Sequence, residues 1–191
     1  KGYLKKKYKK PGNVFLGLLH RLDRPVSGIV LFAKTSKGAS RLSEQFRNRT
    51  IEKTYHALVL GKPKQNEGNL VDFLQKTESR FVGRRLKMKA NPERGKLHRQ
   101  NEKEKIQRAE LSYEVISSND KYSLLKIKLQ TGRFHQIRAQ LSAMGHPVLG
   151  DTKYGAPFAL PDKSICLCAT SLSFLPAGAL AKEGKKTISI P

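Results

Sequence analysis

Residues 20–28 read HRLDRPVSG. This segment places a single carboxylate, Asp23, between Arg21 and Arg24. Nearby fixed cations favour the charged form of a carboxyl group, so we expect a low pKa and an ionised Asp23. Pro25 restricts one backbone angle and stiffens the turn, and an anion held there can act as a nucleophile or stabilise developing positive charge. The local sequence also fits a helix cap or a surface turn, because Asp before Pro and Gly is common in loops.

The charge of the whole chain points to a polyanionic partner. Its 191 residues fit a single domain spanning 1–191, with 38 lysines and arginines against 15 aspartates and glutamates and a formal charge of +23. Such an excess of positive charge favours binding to RNA or DNA. No apolar stretch approaches the roughly 18 residues of a membrane span, so an acidic membrane surface is only the second choice of partner and we expect no membrane association. The N-terminus has no apolar core of a signal peptide.

Cysteine usage favours a cytoplasmic protein. The two cysteines, Cys166 and Cys168, alternate on a predicted strand and therefore point to opposite faces, which argues against a disulfide between them. A Cys-x-Cys pair without a nearby pair of histidines also argues against a zinc site.

The first part of the chain carries three patterned segments behind a basic start. Six of the first ten residues are lysines, so we predict a solvated, mobile basic arm over 1–11. The apolar run IVLFA at 29–33 predicts a buried strand. Apolar residues recur every three or four positions over 36–49, which predicts a helix, and the β-rich KTYHALVLG at 53–61 predicts a strand.

A second basic segment interrupts the pattern at 76–108. It holds twelve lysines and arginines against four glutamates, contains few apolar residues and shows no sustained period. We therefore predict a long functional loop or a flexible insertion at these positions.

Regular patterns resume after this insertion. Two strands are predicted at 110–116 and 122–130, joined by a Ser-Ser-Asn-Asp turn, and the second alternates apolar residues with lysines to give one buried and one basic face. A last strand is predicted at 165–175, followed by a tail rich in glycine, alanine and lysine.

A helix is predicted over 134–144, ended by glycine and proline. Its predicted core stripe is formed by Phe134, Ile137, Leu141 and Met144. The polar positions between them are His135, Gln136 and Arg138. These leave a polar face near the helix N-terminus, where backbone N–H groups favour anions.

Three long segments carry a family signature: HRLDRPVSG at 20–28, KTYHALVLG at 53–61 and LQTGRFHQIRAQLSAMGHPVLGDTKYG at 129–155. They resemble the signatures of the RluA-type RNA pseudouridine synthases and occur in the same order. The resemblance spans about residues 12–176. It implies an α+β fold in which helices pack against a bent, mostly antiparallel mixed sheet, with a basic cleft holding Asp23.

The resemblance implies isomerisation of a uridine inside RNA. The bond from ribose to N1 of uracil breaks, the base turns, and a bond forms to carbon 5, with no metal and no cofactor. Asp23 matches the family's essential aspartate, which attacks the sugar or the base. Tyr55 matches the tyrosine that stacks on the base and is a candidate to remove the carbon-5 proton. Arg138 matches the basic residue that pairs with the aspartate. Taken singly, Tyr55 also fits a core aromatic and Arg138 a solvated helix charge.

The resemblance also implies contacts to the RNA. Arg21 matches an arginine that helps to displace the target base and fills the gap, a role that suits a planar cation because an enzyme must extrude a base before acting on it. The alternative for Arg21 is a salt bridge to Asp23 or simple surface charge. Further RNA contacts are predicted at Arg24, Lys53, Arg133, His135 and Gln136.

The chain departs from the family pattern at several points. Only 19 residues precede His20, so we expect an N-terminal truncation and an incomplete sheet. Gln140 and Cys168 stand where many members carry histidine, which affects RNA contacts more than the chemistry. The insertion at 76–108 is a candidate determinant of substrate choice. Ribosomal RNA and transfer RNA are both open as substrates, and we expect a monomer without an obligate protein partner.

Two other functions share parts of these patterns. HRLD resembles the HRD motif of protein kinases, but no glycine-rich loop, DFG or catalytic-loop Asn accompanies it. A basic RNA-binding module without catalysis explains the charge of +23 equally well. That module does not explain why Asp23, Tyr55 and Arg138 occur together in matching contexts.

Overall fold

One large mixed sheet dominates the computed structural model, which describes residues 1–77, 87–91, 106–176 and 184–190. Its strands follow the order β10-β9-β4-β8-β7-β5-β6, each pair antiparallel, and β2 joins β9 in parallel. The strand bounds are β1 Gly17–Leu18, β2 Ser27–Gly28, β3 Phe32–Ala33, β4 Glu52–Leu60, β5 Glu67–Thr77, β6 Lys87–Asn91, β7 Gln107–Ser118, β8 Tyr122–Leu129, β9 Leu167–Phe174 and β10 Lys186–Ser189. The helices are α1 Gly2–Lys7, α2 Ser36–Arg47 and α3 Gln136–Ala143, with a 3-10 turn at Thr152–Tyr154. The predicted α+β fold with a mostly antiparallel mixed sheet is confirmed.

The core lies between the central strands and α3. Leu125 and Ile127 of β8 are fully buried, as its alternating pattern predicts, and they belong to the same apolar cluster as Ile137 and Leu141 of α3. Phe134 is 42% exposed, so the predicted helix stripe is wrong at that position. Packing against the sheet fixes α3, and with it the polar side chains at its N-terminal end.

Two register shifts interrupt the ladders of the sheet. One separates Thr54 from Tyr55 where β4 pairs with β9, and the other separates Val115 from Ser117 where β7 pairs with β8. A bulge bends its strand and increases the local twist. The first shift lies directly beside Tyr55, which is a predicted site residue.

Several predicted elements are confirmed. The helix at 36–49 is α2, whose first turn is capped by the Thr35 hydroxyl accepting a hydrogen bond from the Gly38 N–H at 3.0 Å. The strands at 53–61, 110–116, 122–130 and 165–175 are β4, β7, β8 and β9, with ends shifted by a few residues.

The buried strand predicted at 29–33 is wrong. Only Phe32–Ala33 is a strand, it pairs with β1, and Phe32 is 46% exposed. The chain leaves the large sheet after β2, where the Ile29 N–H donates to the Ala169 carbonyl at 2.9 Å. The apolar run therefore crosses to a separate two-stranded sheet.

The basic and terminal segments contain more structure than predicted. Residues 2–7 of the predicted mobile arm form α1, which buries none of its side chains. Strand β6 lies within the segment predicted as a loop at 76–108, and the rest of that prediction falls mainly outside the described residues. The tail contributes β10, which pairs with β9. Among the described helices, none is long and apolar enough to cross a membrane.

Candidate active site

A cleft of about 460 Å³ opens between the 20–28 segment, β4 and the N-terminal end of α3. It brings together eight of the nine predicted site residues, which are Arg21, Asp23, Lys53, Tyr55, Arg133, His135, Gln136 and Arg138. The ninth, Arg24, is exposed and does not line the cleft. Residues that sequence separates by more than 100 positions therefore share one site.

The segment that carries Asp23 is pinned at both ends. On one side Gly28 pairs with Ala169 of β9 at a φ of +121°, and a Cβ at Gly28 would lie 2.3 Å from the Ala169 carbonyl oxygen, so only glycine fits there. On the other side His20 Nε2 accepts a hydrogen bond from the Leu31 N–H at 3.0 Å. These contacts hold the intervening carboxylate at the cleft.

Asp23 meets Arg138 across the cleft. The guanidinium Nη1 donates to Asp23 Oδ2 at 3.4 Å, and the Asp23 side chain keeps 24% of its surface exposed. His135 Nε2 lies 3.7 Å from the same oxygen. The contact between Asp23 and Arg138 that the motifs predict is thus present, at a long hydrogen-bond distance.

Sequence reasoning missed the closer partner of Arg138, which is Asp151. Arg138 Nε donates to Asp151 Oδ2 at 2.7 Å, and Nη2 donates to Oδ1 at 2.8 Å. The Arg138 and Asp151 side chains are only 6% and 1% exposed. The ring of Tyr154 lies 4.9 Å from the guanidinium carbon. The sequence did contain a clue to this partner, because Asp151 lies within the family motif at 129–155, in its last five residues, DTKYG.

Burial controls the protonation of Asp23. Loss of solvent raises the pKa of the Asp23 carboxyl, the charge and hydrogen bond of Arg138 oppose this, and the negative charge of Asp151 adds to it. The expectation of a lowered pKa is therefore wrong. The flanking arginines do not prevent this, because Arg21 is the smallest contributor and exposed side chains are well solvated.

His135 is a neutral neighbour of the carboxylate. It adopts a left-handed backbone at φ 51° just before α3, its ring stacks on Phe134 with 3.8 Å between centroids, and its Nδ1 lies 2.9 Å from the Tyr154 hydroxyl. Burial, aided by the charges of Arg138 and Lys153, lowers the pKa of His135 to about 3. An uncharged imidazole therefore faces Asp23 at neutral pH.

Strand β4 supplies the opposite wall of the cleft. Burial, followed by the charge of Asp23, raises the pKa of Tyr55 to about 12, so its phenol is neutral at physiological pH. Burial, aided by Arg49, lowers the pKa of Lys53. The Lys53 ammonium lies beside Gly132, where a Cβ would approach it to 3.3 Å.

Gln136 supports the loop that precedes α3. It is 3% exposed, and its Oε1 accepts hydrogen bonds from the Thr131 hydroxyl at 2.7 Å and the Arg133 N–H at 3.0 Å. Its Nε2 donates to the Glu110 carbonyl at 3.0 Å. Both polar atoms of the Gln136 side chain are therefore hydrogen-bonded within the protein, and an RNA contact from Gln136 stays a prediction.

The described residues offer no cluster of three or more His, Cys, Asp or Glu side chains that could hold a metal ion. The chemistry available in the cleft is that of one half-buried carboxylate, one buried guanidinium, a phenol and exposed cations. Such a set can hold a planar ring, bind phosphate and offer a nucleophile or base.

Comparisons with known proteins agree with this chemistry. A sequence profile described as RNA pseudouridylate synthase matches residues 2–143. The tRNA pseudouridine synthase C of Pectobacterium carotovorum subsp. carotovorum is 35% identical over 141 residues, covering 72% of this chain and 35% of that protein. An uncharacterized RNA pseudouridine synthase of Chlorobaculum parvum is 36% identical over 148 residues, covering 76% and 41%. The chain spans about a third to a half of the length of the curated relatives it matches.

Fold comparison gives the same answer. The solved structure of human RNA pseudouridylate synthase domain containing 4 superimposes with a TM-score of 0.71 at 26% sequence identity, covering 92% of this chain and 71% of that chain. With most of its length matched by the profile and its fold shared with this human protein, the chain belongs to the RluA-type RNA pseudouridylate synthase family.

Proposed function

We propose that this chain isomerises a uridine within structured RNA to pseudouridine, with Asp23 as the essential catalytic residue. The observation that carries the proposal is the meeting of Asp23, Tyr55 and Arg138 in one basic cleft from three separate segments. In this reaction the bond from ribose C1′ to uracil N1 breaks, a bond forms from C1′ to carbon 5, carbon 5 loses its proton to a base or to solvent, and N1 takes up one proton in exchange. No net oxidation occurs, so no redox partner is needed.

The environment of Asp23 suits a nucleophile or base. Partial burial raises its pKa, so the ionised carboxylate is poorly solvated and correspondingly reactive, and Arg138 on the far side of the cleft limits its movement. Attack on the sugar and attack on the base both remain compatible with this position. Neutral His135 leaves the negative charge of Asp23 intact.

Tyr55 supplies a face for the uracil ring. A neutral phenol offers a π surface and an oxygen in one side chain, and base stacking on an aromatic contributes about 1–3 kcal/mol per base. Because its pKa is about 12, the Tyr55 oxygen can take the carbon-5 proton only if the phenol's own proton leaves in the same step. We therefore assign stacking on the uracil as the main role of Tyr55 and proton removal as its second role.

Base extrusion is assigned to Arg21. It is exposed at the mouth of the cleft, two residues before Asp23, where it can enter the stack as the target base leaves. Lys53 and Arg133 line the same cleft and can contact phosphates. The relatives named tRNA pseudouridine synthase C make a transfer RNA the first substrate to test, with ribosomal RNA second.

The decisive experiment measures tritium release from RNA labelled at carbon 5 of uridine. The wild-type chain should release tritium from transfer or ribosomal RNA, and Asp23→Asn should release none while binding the same RNA with nearly unchanged affinity. Asp162→Asn, which alters an exposed carboxylate outside the cleft, is the control and should match wild type. Turnover by purified Asp23→Asn would overturn the proposal, and tight RNA binding without turnover by the wild-type chain would favour the non-catalytic module.

A further inference from the structure

We propose that Asp151 is a positioning residue for this reaction, because it fixes the orientation of Arg138 and shares that arginine's charge with Asp23. The inference rests on the proposed function in assigning the chemistry to Asp23. Nothing in the motif pairing of Asp23 with Arg138 requires a second carboxylate, and the structure shows one closer to the guanidinium than Asp23 is.

The geometry gives Asp151 the controlling contact. It accepts two hydrogen bonds from Arg138, at 2.7 and 2.8 Å, in the bidentate arrangement that fixes a guanidinium plane. Only Nη1 is directed at Asp23, at 3.4 Å. Asp151 therefore sets the orientation of Arg138, because it binds the Nε and Nη2 groups and leaves Nη1 directed at Asp23.

The turn that carries Asp151 is itself firmly held. The Asp151 carbonyl accepts from the Tyr154 and Ala156 N–H groups at 2.9 and 3.0 Å, and its own N–H donates to the Val148 carbonyl at 3.0 Å. Gly150 before it has a φ of +85° and packs so closely that a Cβ would lie 2.8 Å from Leu160. This rigid turn also presents Tyr154, whose hydroxyl meets His135. One turn thus places both groups that approach Asp23 from the α3 side.

The charges around Asp23 explain why the second carboxylate matters. Arg138 and His135 face it from the α3 side, Tyr55 faces it from β4, and Arg21 lies on its own segment. His135 and Tyr55 are neutral at physiological pH, and among the described residues Arg138 is the buried cation that pairs with the carboxylates of both Asp23 and Asp151.

If Asp151 lost its charge, Asp23 would be the one carboxylate among the described residues still ion-paired with Arg138. The contact between them would tighten, the pKa of the Asp23 carboxyl would fall, and the carboxylate would become a weaker base and nucleophile. Asp151 thereby keeps Asp23 reactive while Arg138 keeps it in place.

The test is a carbon-13 NMR titration of the Asp23 carboxyl in the full chain, with the signal assigned through Asp23→Asn. In Asp151→Asn the Asp23 midpoint should fall by about one pH unit, and the acid limb of the kcat profile should move in the same direction. Turnover at neutral pH should fall at least about tenfold with RNA affinity unchanged. Asp72→Asn is the matched control, because Asp72 is a buried carboxylate that accepts a hydrogen bond from Gln140 of α3 at 2.7 Å, outside the cleft. It should leave the Asp23 midpoint unchanged.

Glu and Gln at position 151 provide a second comparison that does not depend on the Asn variant folding. The two side chains have the same length, so a lower Asp23 midpoint in Asp151→Gln than in Asp151→Glu reports charge alone. An equal midpoint in that pair, or a loss of turnover in Asp151→Asn with no movement of the midpoint, would overturn the proposal. If Asp23→Asn proved active, the proposed function would fall, yet the titration would still decide the role of Asp151.

Discussion

His20 accepts a hydrogen bond through Nε2 from the N–H of Leu31, eleven residues further along the chain and 3.0 Å away. The ring also lies 5.2 Å from that of Phe46 in α2. An accepting Nε2 requires a neutral imidazole, and burial together with the charge of Lys53 lowers the pKa of His20 accordingly. His20 thus closes the loop that carries Asp23.

Replacing His20 by Phe should therefore lower both stability and turnover. The aromatic packing is kept, but the Leu31 N–H loses its acceptor, at a cost of about 1–3 kcal/mol in the free energy of unfolding measured with urea. Turnover should fall further because Asp23 loses its fixed position. His146→Phe is the control, since its hydrogen bond to the Leu60 carbonyl at 2.8 Å lies outside the cleft. Wild-type turnover in His20→Phe would contradict this account.

Asp23→Asn should be more stable than wild type at neutral pH. The folded protein holds Asp23 with a raised pKa, so the folded state disfavours the ionised carboxylate, and this penalty is absent below the ordinary value of 3.8. The stability gained by the neutral isostere should therefore be present at pH 7 and disappear as the pH falls below that value. Thermal unfolding at a series of pH values measures it, and a variant less stable than wild type at pH 7 would refute the expectation.

His135 should make the protein sensitive to acid. Its pKa falls from 6.5 in the unfolded chain to about 3 in the folded one, so unfolding takes up about one proton between these values. The free energy of unfolding should therefore carry no penalty from His135 above pH 6.5. As the pH falls below 6.5 towards 3, it should decrease by up to about 1.4 kcal/mol per pH unit. His135→Asn should show a shallower decline in urea unfolding between pH 4 and pH 7, and an unchanged slope would count against a buried neutral imidazole.

Tyr55→Phe should separate stacking from proton transfer. The ring that stacks on uracil is retained, so the dissociation constant for RNA should stay near the wild-type value. If the oxygen takes part in proton removal, turnover should fall by about 10²–10⁴-fold. Tyr55→Leu should weaken binding as well, since the stacking surface is lost. Full activity in Tyr55→Phe would exclude proton removal by Tyr55 and leave stacking as its role.

Arg21→Ala should lower turnover strongly on a structured stem-loop and only mildly on a short unstructured RNA, whose target base is already unstacked. Arg21→Lys should rescue poorly, because lysine keeps the charge but not the planar guanidinium. Arg24→Ala removes an exposed arginine outside the cleft and should not distinguish the two RNAs. Equal losses in Arg21→Ala on both RNAs, with rescue by lysine, would exclude base extrusion by Arg21.

Local patterns predicted the elements whose own sequence decides their structure. The period of α2 and the alternation in β8 were sufficient, because each element gathers its apolar residues on one face. That face is half-buried at Leu42 and Phe46 of α2 and fully buried at Leu125 and Ile127 of β8. Phe134 was placed wrongly because the left-handed backbone of His135 delays the start of α3 to Gln136, which leaves the phenylalanine outside the helix. Strand β10 carries no such pattern, and its four residues are all exposed.

The motifs predicted which residues gather in the cleft but not their electrostatics. The pKa of Asp23 depends on its burial and on Asp151, 128 positions away, and neither is visible in the local sequence around two arginines. The burial of Arg138 likewise follows from how α3 packs, where the local pattern alone also fitted a solvated charge. Tertiary contacts, and not residue type, set the chemistry of these groups.

Ala169 pairs with Gly28 on one edge of β9 and with Tyr55 on the other. The two walls of the cleft are therefore aligned through a single backbone position. Substitutions along β9 that keep its backbone pairing leave this alignment intact, whereas inserting or deleting one residue near Ala169 would move the Asp23 segment by one strand step, about 3.3 Å, relative to Tyr55. The length of this strand is therefore as constrained as its buried side chains, Leu167, Ala169 and Leu172.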